Sequence, residues 1–126
     1  MQQKDYLTNL LKNKLLSSLK EMNLLYKSEE IINDLLLKKN NEYIYISFFQ
    51  RKHSLSYSNA LVLLRICCEM KYLKEVFVFF HDGRWIVDYY QITDFPNQIY
   101  DEDTGRDLII NKDELFVCFE VTKNGF

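Results

Sequence analysis

The fold is decided by residues 48–71, which are FFQRKHSLSYSNALVLLRICCEMK. Residues 48–53 form a short helical segment with aromatic anchors, and residues 57–71 have the apolar spacing of a longer helix. The predicted inner stripe of that longer helix is Ala60, Leu63, Leu64 and Cys67. Between the two lies the turn Ser54-Leu55-Ser56, in which Leu55 is expected to be buried and Ser56 can cap the second helix. Two helices joined in this way predict a helix-turn-helix arrangement.

Two further helices and a strand are predicted before this segment. Leucines recur at spacings of three and four over residues 5–25, which predicts an amphipathic helix. Its wide apolar stripe either covers its own core or meets a second protomer. The next helix is predicted over 28–39, with Ser28 as its N-cap and two lysines in its last turn. A short strand over 43–46 follows, because aromatic and β-branched residues favour that conformation.

Two hairpins are predicted after residue 71. Strand-like runs at 76–80 and 85–92 flank Asp82-Gly83, a pair typical of a tight hairpin turn. A hairpin directly after a helix-turn-helix is a wing. Residues 93–104 are predicted to be a polar loop, and residues 108–122 a second hairpin whose last strand is apolar on both faces.

These elements predict an α+β fold, namely a winged helix-turn-helix with an additional N-terminal amphipathic helix and a C-terminal β-hairpin. The whole chain, 1–126, is expected to form one domain. Its predicted parts are the N-terminal helix at 1–26, the winged-helix core at 28–92 with the wing hairpin at 76–92, and an acidic loop and hairpin at 93–126.

Length and composition predict a chain that buries a core of its own. It has 126 residues, of which 48% are hydrophobic, and a net charge of −2. No apolar run approaches the ~20 residues of a membrane helix, and residues 1–5 lack the apolar stretch of a secretion signal. The odd count of three cysteines fits a reducing compartment. We therefore expect a cytoplasmic protein without a membrane partner.

Charge is distributed unevenly along the chain. Residues 1–84 carry 13 Lys+Arg and 9 Asp+Glu, a balance of +4, whereas residues 85–126 carry 3 and 9, a balance of −6. A mildly basic front half is compatible with DNA binding by one face. The asymmetry is equally compatible with the two halves meeting each other, or with a homodimer formed through the N-terminal helix or the C-terminal hairpin.

One motif extends beyond generic helix-turn-helix patterning. The string Ile46-Ser47-Phe48-Phe49-Gln50-Arg51 is followed at fixed spacing by Tyr57, Ala60 and Leu63. Residues 28–74 thereby resemble the gamma domain of FtsK-type DNA translocases, a winged helix that reads short oriented DNA sequences. The resemblance implies a winged-helix fold and duplex DNA as the partner. The chain has no phosphate-binding Gly-x-x-x-x-Gly-Lys, so the resemblance extends to a reading head and not to the motor.

The chain departs from that family at positions that meet DNA. In the family, the second helix begins with Tyr-Asn-Arg and carries a further Arg three positions on. The corresponding residues here are Ser58, Asn59 and Val62. Ser54 stands where the family favours a basic residue in the turn. The matching positions are mostly those that hold the fold.

In the DNA-binding hypothesis, the start of the second helix faces base edges. Ser56, Ser58 and Asn59 are the predicted contacts there, because hydroxyl and amide groups can pair with bases. Phosphate contacts are expected from basic side chains. The predicted set is Arg51, Lys52, His53, Arg84 at the wing tip, and Lys38 and Lys39 as outer candidates. So few cations predict weak, salt-sensitive binding by one copy.

Catalytic and metal sites are not expected. Neither His53 nor His81 has a nucleophile or carboxylate at a recognisable catalytic spacing. The acidic stretch 101–107 lacks the ladder of a calcium loop, and the vicinal pair Cys67-Cys68 does not converge on one ion. We therefore expect a non-enzymatic protein without a cofactor or metal.

The alternative hypothesis is a protein-interaction module. A winged helix that kept its frame and lost its DNA-reading cations could act as an adaptor, an inhibitor or an immunity-type protein. Its acidic C-terminal surface would then occupy a basic site on its target. The net charge of −2, the replaced arginines and the apolar strand at 114–122 favour this alternative. A continuous positive stripe across Lys38, Arg51, Lys52 and Arg84 would favour DNA, and its interruption by Asp101–Asp103 would favour a protein partner.

Overall fold

The structure is a computed structural model that describes residues 2–123 and 126, and its fold is α+β. The helices are α1 (Gln2–Glu21), α2 (Ser28–Leu36), α3 (Ile46–Lys52) and α4 (Tyr57–Glu69). The strands are β1 (Tyr43–Tyr45), β2 (Leu73–His81), β3 (Arg84–Tyr89), β4 (Gln98–Asp101), β5 (Arg106–Ile109) and β6 (Phe116–Val121). The predicted fold class is therefore confirmed at the level of α+β.

The chain divides into two compact units. The first, here called the helical unit, comprises Met1–Lys74 and Phe119–Phe126, and the second, the hairpin unit, comprises Glu75–Cys118. The sequence-based boundaries at 28–92 and 93–126 follow a different partition, because they separate β2 and β3 from β4 and β5. That the chain folds as one domain stays a prediction.

Apolar stripes of three helices build the core of the helical unit. Leu11, Leu15 and Leu19 of α1 are fully buried, as their spacing of four residues requires for one helix face. The predicted stripe of α4 is also fully buried; it consists of Ala60, Leu63, Leu64 and Cys67. Ile31 and Leu35 of α2 add to this core. The helical periodicity of the sequence is confirmed in each case.

Two helix ends differ from the prediction. Ser28 is the first residue of α2 and makes no capping contact, because Lys27 occupies the N-cap and provides no side-chain hydrogen bond. The helix ends at Leu36, so Lys38 and Lys39 lie beyond its last turn. The preceding turn Leu25–Lys27 is a 3-10 helix that runs directly into α2, which leaves no extended residue for a serine cap.

The predicted hairpin after α4 is confirmed. β2 and β3 pair antiparallel, with His81 opposite Arg84. Asp82 and Gly83 have φ angles of 51° and 75°, the left-handed values that a two-residue hairpin turn needs. The strands belong to a four-stranded sheet with the order β1-β6-β2-β3.

The prediction for residues 93–122 is wrong in its strand pairing. β4 and β5 form a two-stranded antiparallel sheet of their own, with Tyr100 opposite Asp107. Gly105, at a φ of 68°, closes this hairpin, and its N–H donates to the Asp101 carbonyl at 2.8 Å. The sequence from 93 to 104 was predicted to be a loop because its strand residues are mostly polar. β6 pairs in the larger sheet and forms no hairpin with β5.

A buried hydrogen bond within the helical unit gives the first prediction. The Tyr72 side chain is 2% exposed, and its hydroxyl donates to the Leu35 carbonyl at 2.7 Å. That carbonyl belongs to the last turn of α2, where helical partners are missing. Burial raises the pKa of Tyr72 to about 12, with smaller contributions from Cys67 and Glu42.

Tyr72→Phe should therefore lower the free energy of unfolding by about 1–2 kcal/mol, because a buried carbonyl loses its donor. Urea denaturation followed by circular dichroism measures the change. Tyr57→Phe is the matched control: Tyr57 is 56% exposed, and its variant should stay within about 0.5 kcal/mol of the wild type. Equal stability of the two variants would contradict this assignment.

Candidate functional site

The start of α4 exposes part of the predicted DNA-facing set. Ser56 is the N-cap, and its hydroxyl accepts a hydrogen bond from the backbone N–H of Asn59 at 3.1 Å. Ser58 is exposed in the first turn, and Asn59 is half-buried. Arg51, near the end of α3, is also exposed. The predicted capping role of Ser56 is confirmed, and it commits that hydroxyl to the helix.

His53 lies in the interior rather than on the surface. Only 2% of the residue is exposed; its Nδ1 lies 3.0 Å from Glu30 Oε1 and its Nε2 lies 2.7 Å from Asp34 Oδ2. Glu30 and Asp34 are four residues apart on α2, so both side chains leave the same helix face. Both contacts are hydrogen bonds at once only when both ring nitrogens carry a proton, since carboxylates accept and do not donate.

Asp34 also engages two lysines that were predicted to reach phosphates. Its Oδ1 lies 2.9 Å from Lys52 Nζ and 3.5 Å from Lys38 Nζ. Burial acts to raise the pKa of Asp34, but the hydrogen bonds from Lys52 and His53 outweigh it and hold the pKa below its ordinary value. We call Glu30, Asp34, Lys38, Lys52 and His53 the His53 cluster.

Arg84 is held within the hairpin unit. Its Nη2 donates to Asp101 Oδ2 and its Nη1 donates to Asp103 Oδ2, each at 2.7 Å. Asp101 is 5% exposed and also accepts from the Thr104 hydroxyl at 2.8 Å. Hydrogen bonds, mainly the one from Arg84 and then the one from Thr104, lower the pKa of Asp101 to about 2 against the opposing effect of burial. The hydrogen bond to Asp101 raises the pKa of Arg84.

Most of the basic side chains that were predicted to contact phosphates therefore pair with carboxylates of the chain. Of the six basic residues, four are paired with carboxylates of the chain: Lys38, Lys52, His53 and Arg84. Within residues 2–123 and 126, only Lys39 and Arg51 of this set make no ion pair.

An aromatic cleft next to the His53 cluster was missed by the sequence analysis. It encloses about 260 Å³ between α2, β1 and α3. The lining residues are Asp34, Lys38, Tyr43, Ile44, Tyr45, Phe48 and Phe49. Phe48 is 57% exposed, whereas Ile44 and Phe49 are buried at 4% and 2%. The alternation Tyr43-Ile44-Tyr45 was the available sequence signal, because a strand places its first and third side chains on the same side. The structure has both tyrosines exposed and Ile44 buried.

A second surface, here called the hairpin face, lies on β4 and β5. Tyr100 is opposite Asp107 and Gln98 is opposite Ile109, so these four side chains share one face of the hairpin. Tyr100 is 60% exposed and Ile109 is 81% exposed. This surface could not be expected from a segment predicted to be a loop.

The aromatic residues of the β2–β3 hairpin pack against neighbours. The Trp85 indole N–H donates to Asp88 Oδ2 at 2.8 Å, and its ring meets Phe80 edge-on. The Tyr89 ring packs against Phe95 with centroids 4.8 Å apart. These rings therefore pack within the hairpin unit.

Comparisons with protein-family models, with curated proteins and with solved structures find no match for this chain. Among the described residues, no group of three or more His, Cys, Asp or Glu side chains is arranged to hold a metal ion. The helices in the described part of the chain include none that is long and apolar enough to cross a membrane.

The two histidines of the chain form a matched pair for testing the His53 cluster. His53→Gln should lower the free energy of unfolding by about 2–4 kcal/mol, because the carboxylates of Asp34 and Glu30 lose a buried hydrogen-bond partner. The His81 side chain is 37% exposed, so His81→Gln should change stability by less than about 0.5 kcal/mol. Chemical denaturation measures both, and an equal effect of the two substitutions would refute a structural role for His53.

The ion pair of Asp101 predicts a pH dependence. A carboxyl whose pKa is depressed on folding stabilises the folded state above its ordinary pKa, and the stabilisation disappears as the pH falls. For Asp101 this window lies between 3.8 and about 2. Arg84→Gln should raise the pKa of Asp101 toward 3.8 and remove the acid dependence within that window.

Carbon-detected NMR titration of the Asp101 carboxyl measures the shift. Arg106→Gln is the control, because Arg106 is opposite Asp101 in the strand register but makes no hydrogen bond with it among the described residues. The pKa of Asp101 should be unchanged in that variant. A midpoint that stays near 2 in Arg84→Gln would exclude Arg84 as the main cause.

Proposed function

We propose that this chain is a non-catalytic protein-interaction module built on a winged helix-turn-helix frame. The observation that carries the proposal is the internal pairing of Lys38, Lys52, His53 and Arg84 with carboxylates. A DNA-reading surface needs basic side chains that are exposed and not already paired with carboxylates. Here they stabilise the chain itself.

The frame is supported by the order of its elements. α3 and α4 are joined by the turn 53–56, in which Leu55 is buried, and the β2–β3 hairpin follows α4 directly. This is the element order of a winged helix-turn-helix. It also agrees with the resemblance of residues 28–74 to the gamma domain of FtsK-type translocases.

The small number of unpaired basic residues favours a protein partner over DNA. Each phosphate neutralised by a cation contributes about −0.9 to the slope of log affinity against log salt on B-DNA. The two unpaired candidates, Lys39 and Arg51, therefore supply a slope of only about −1.8. Proteins that bind duplex DNA firmly use roughly 6–10 such contacts.

The charge balance of the hairpin unit indicates the chemistry of the partner. Glu75–Cys118 contains 10 Asp+Glu and 3 Lys+Arg, a balance of −7. One of its three cations, Arg84, is already held by two carboxylates. The exposed side chains of Tyr100 and Ile109 provide apolar area beside these charges. An acidic surface with an aromatic side chain fits a cationic protein surface.

DNA binding is the second candidate, and one observation favours it. Arg51 and Ser58 are exposed, and Asn59 is half-exposed, around the start of α4. In a helix-turn-helix, that part of the second helix enters the major groove.

Fluorescence anisotropy with a labelled random duplex separates the two candidates. We expect no measurable binding at near-physiological salt, and at most weak binding at low salt, because only two candidate cations are unpaired. Arg51→Glu is the variant, and Lys20→Glu on α1 is the control of equal charge change. Tight, salt-sensitive binding that Arg51→Glu alone abolishes would establish DNA binding instead.

Affinity capture tests the proposed function directly. The tagged wild type should capture a cationic partner that Glu102→Lys/Asp107→Lys fails to capture, because these exposed carboxylates belong to the acidic hairpin. Glu29→Lys/Glu69→Lys makes the same change of charge on exposed positions of the helical unit and should capture it normally. Equal capture by both double variants would refute docking through the hairpin unit.

A further inference from the structure

We propose that the chain recognises a second copy of itself, with the hairpin face of one copy docking in the aromatic cleft of another. This inference rests on the proposed function, because it names a partner for the same acidic surface. It follows from three properties of the molecule: the size of the cleft, the side chains of the hairpin face, and the opposite charges of the two units.

The cleft has the size of a pocket that holds one side chain of a partner protein, here called the anchor side chain. Its volume of about 260 Å³ lies below the ~300–1,000 Å³ of pockets that hold whole small molecules. One large side chain of a partner fits such a space, as the central residues of protein interfaces do. Phe48 forms an exposed wall and Phe49 a buried floor, so the preferred anchor is apolar or aromatic.

The charges of the cleft select against a cationic anchor. Asp34 is the carboxylate in the lining, and it already accepts from His53 and Lys52 and pairs with Lys38. It has little capacity left to stabilise an incoming cation. Lys38 lies in the same lining but is already paired with Asp34. The next residue, Lys39, is exposed and makes no ion pair among the described residues, so the cleft favours an aromatic side chain accompanied by carboxylates.

The hairpin face offers that combination. Tyr100 projects with 60% of its surface exposed, and Asp107 stands directly opposite it in the strand register. The exposed carboxylate of Glu102 follows at the turn. The hydroxyl stands at the tip of the Tyr100 ring and would enter the cleft first, where Lys38 in the lining can donate to it.

The two units carry opposite charges. The helical unit has 13 Lys+Arg and 8 Asp+Glu, a balance of +5, against the balance of −7 in the hairpin unit. Complementary potentials of this kind accelerate encounter and fix orientation. A contact between unlike surfaces of two copies closes into a symmetric pair or continues into a longer assembly, and in both cases it uses the same two surfaces.

Complementary variants in the full-length chain test the contact. Phe48→Glu places a negative charge in the cleft and leaves the hairpin face intact. Tyr100→Lys/Asp107→Lys reverses the hairpin face and leaves the cleft intact. Sedimentation velocity should show the wild type self-associating at about 0.1–0.5 mM protein in low salt, and association should weaken at about 0.5 M salt.

Each variant alone should be monomeric, whereas an equimolar mixture should form a 1:1 dimer, because it contains one intact cleft and one intact hairpin face. Val62→Glu and Asp94→Lys change exposed positions outside both surfaces and should associate as the wild type does. Circular dichroism of each variant verifies that the chain is folded.

Three outcomes would overturn the inference. They are a wild type that is monomeric at both salt concentrations, a mixture of variants that does not associate although the wild type does, and an equal loss of association in Val62→Glu. Capture of a different, cationic protein through Asp107 without self-association would overturn this inference and leave the proposed function standing.

Discussion

The His53 imidazole is held between two carboxylates of α2, and the turn between α3 and α4 depends on that contact. His53 is the residue at which α3 ends, and its backbone carbonyl also accepts from Lys27 Nζ at 2.8 Å. Both its side chain and its main chain are thereby bound to the segment around α2. Loss of the His53 side chain is expected to cost about 2–4 kcal/mol, which is a large fraction of the roughly 5–15 kcal/mol that stabilises a whole domain.

The contact between His53 and the two carboxylates of α2 determines which side chains of α2 and α3 are available to a partner. Asp34 is acceptor for His53 and Lys52 and also neutralises Lys38, so the charges that a nucleic acid would need are balanced inside the cluster. The same packing leaves β1 beside the end of α2 and opens the aromatic cleft lined by Tyr43, Tyr45 and Phe48. Stabilisation by ion pairs and loss of a phosphate-binding surface are thus consequences of a single arrangement.

The apolar periodicity of the sequence predicted the helices well, but it did not predict the pairing of the polar strands β4 and β5. The stripes of α1 and α4 could be predicted because burial selects apolar residues at helical spacing, and Asp82-Gly83 identified one hairpin turn through its backbone chemistry. The β4–β5 hairpin has little apolar alternation, since Gln98, Tyr100 and Asp107 face outward. The partners of Arg84 and His53 lie 17 to 23 residues away, and sequence patterns carry no signal for such distant pairs. Basic residues around α3 and at the β2–β3 turn were therefore assigned to DNA, whereas Lys38, Lys52, His53 and Arg84 pair with carboxylates of the chain.

Charge separation between the two units gives the chain a property that neither net charge nor motif reveals. A net charge of −2 describes a nearly neutral protein, yet the helical unit is at +5 and the hairpin unit at −7. A net charge near zero removes much of the repulsion between copies of a protein, and opposite charges on the two units favour contacts between unlike surfaces of two copies. The fit of one aromatic side chain into the cleft adds shape complementarity to the electrostatic attraction. Shape complementarity restricts the contact to one orientation. In this proposal, the exposed side chains of Tyr100 and Ile109 on the acidic hairpin make the contact between copies specific.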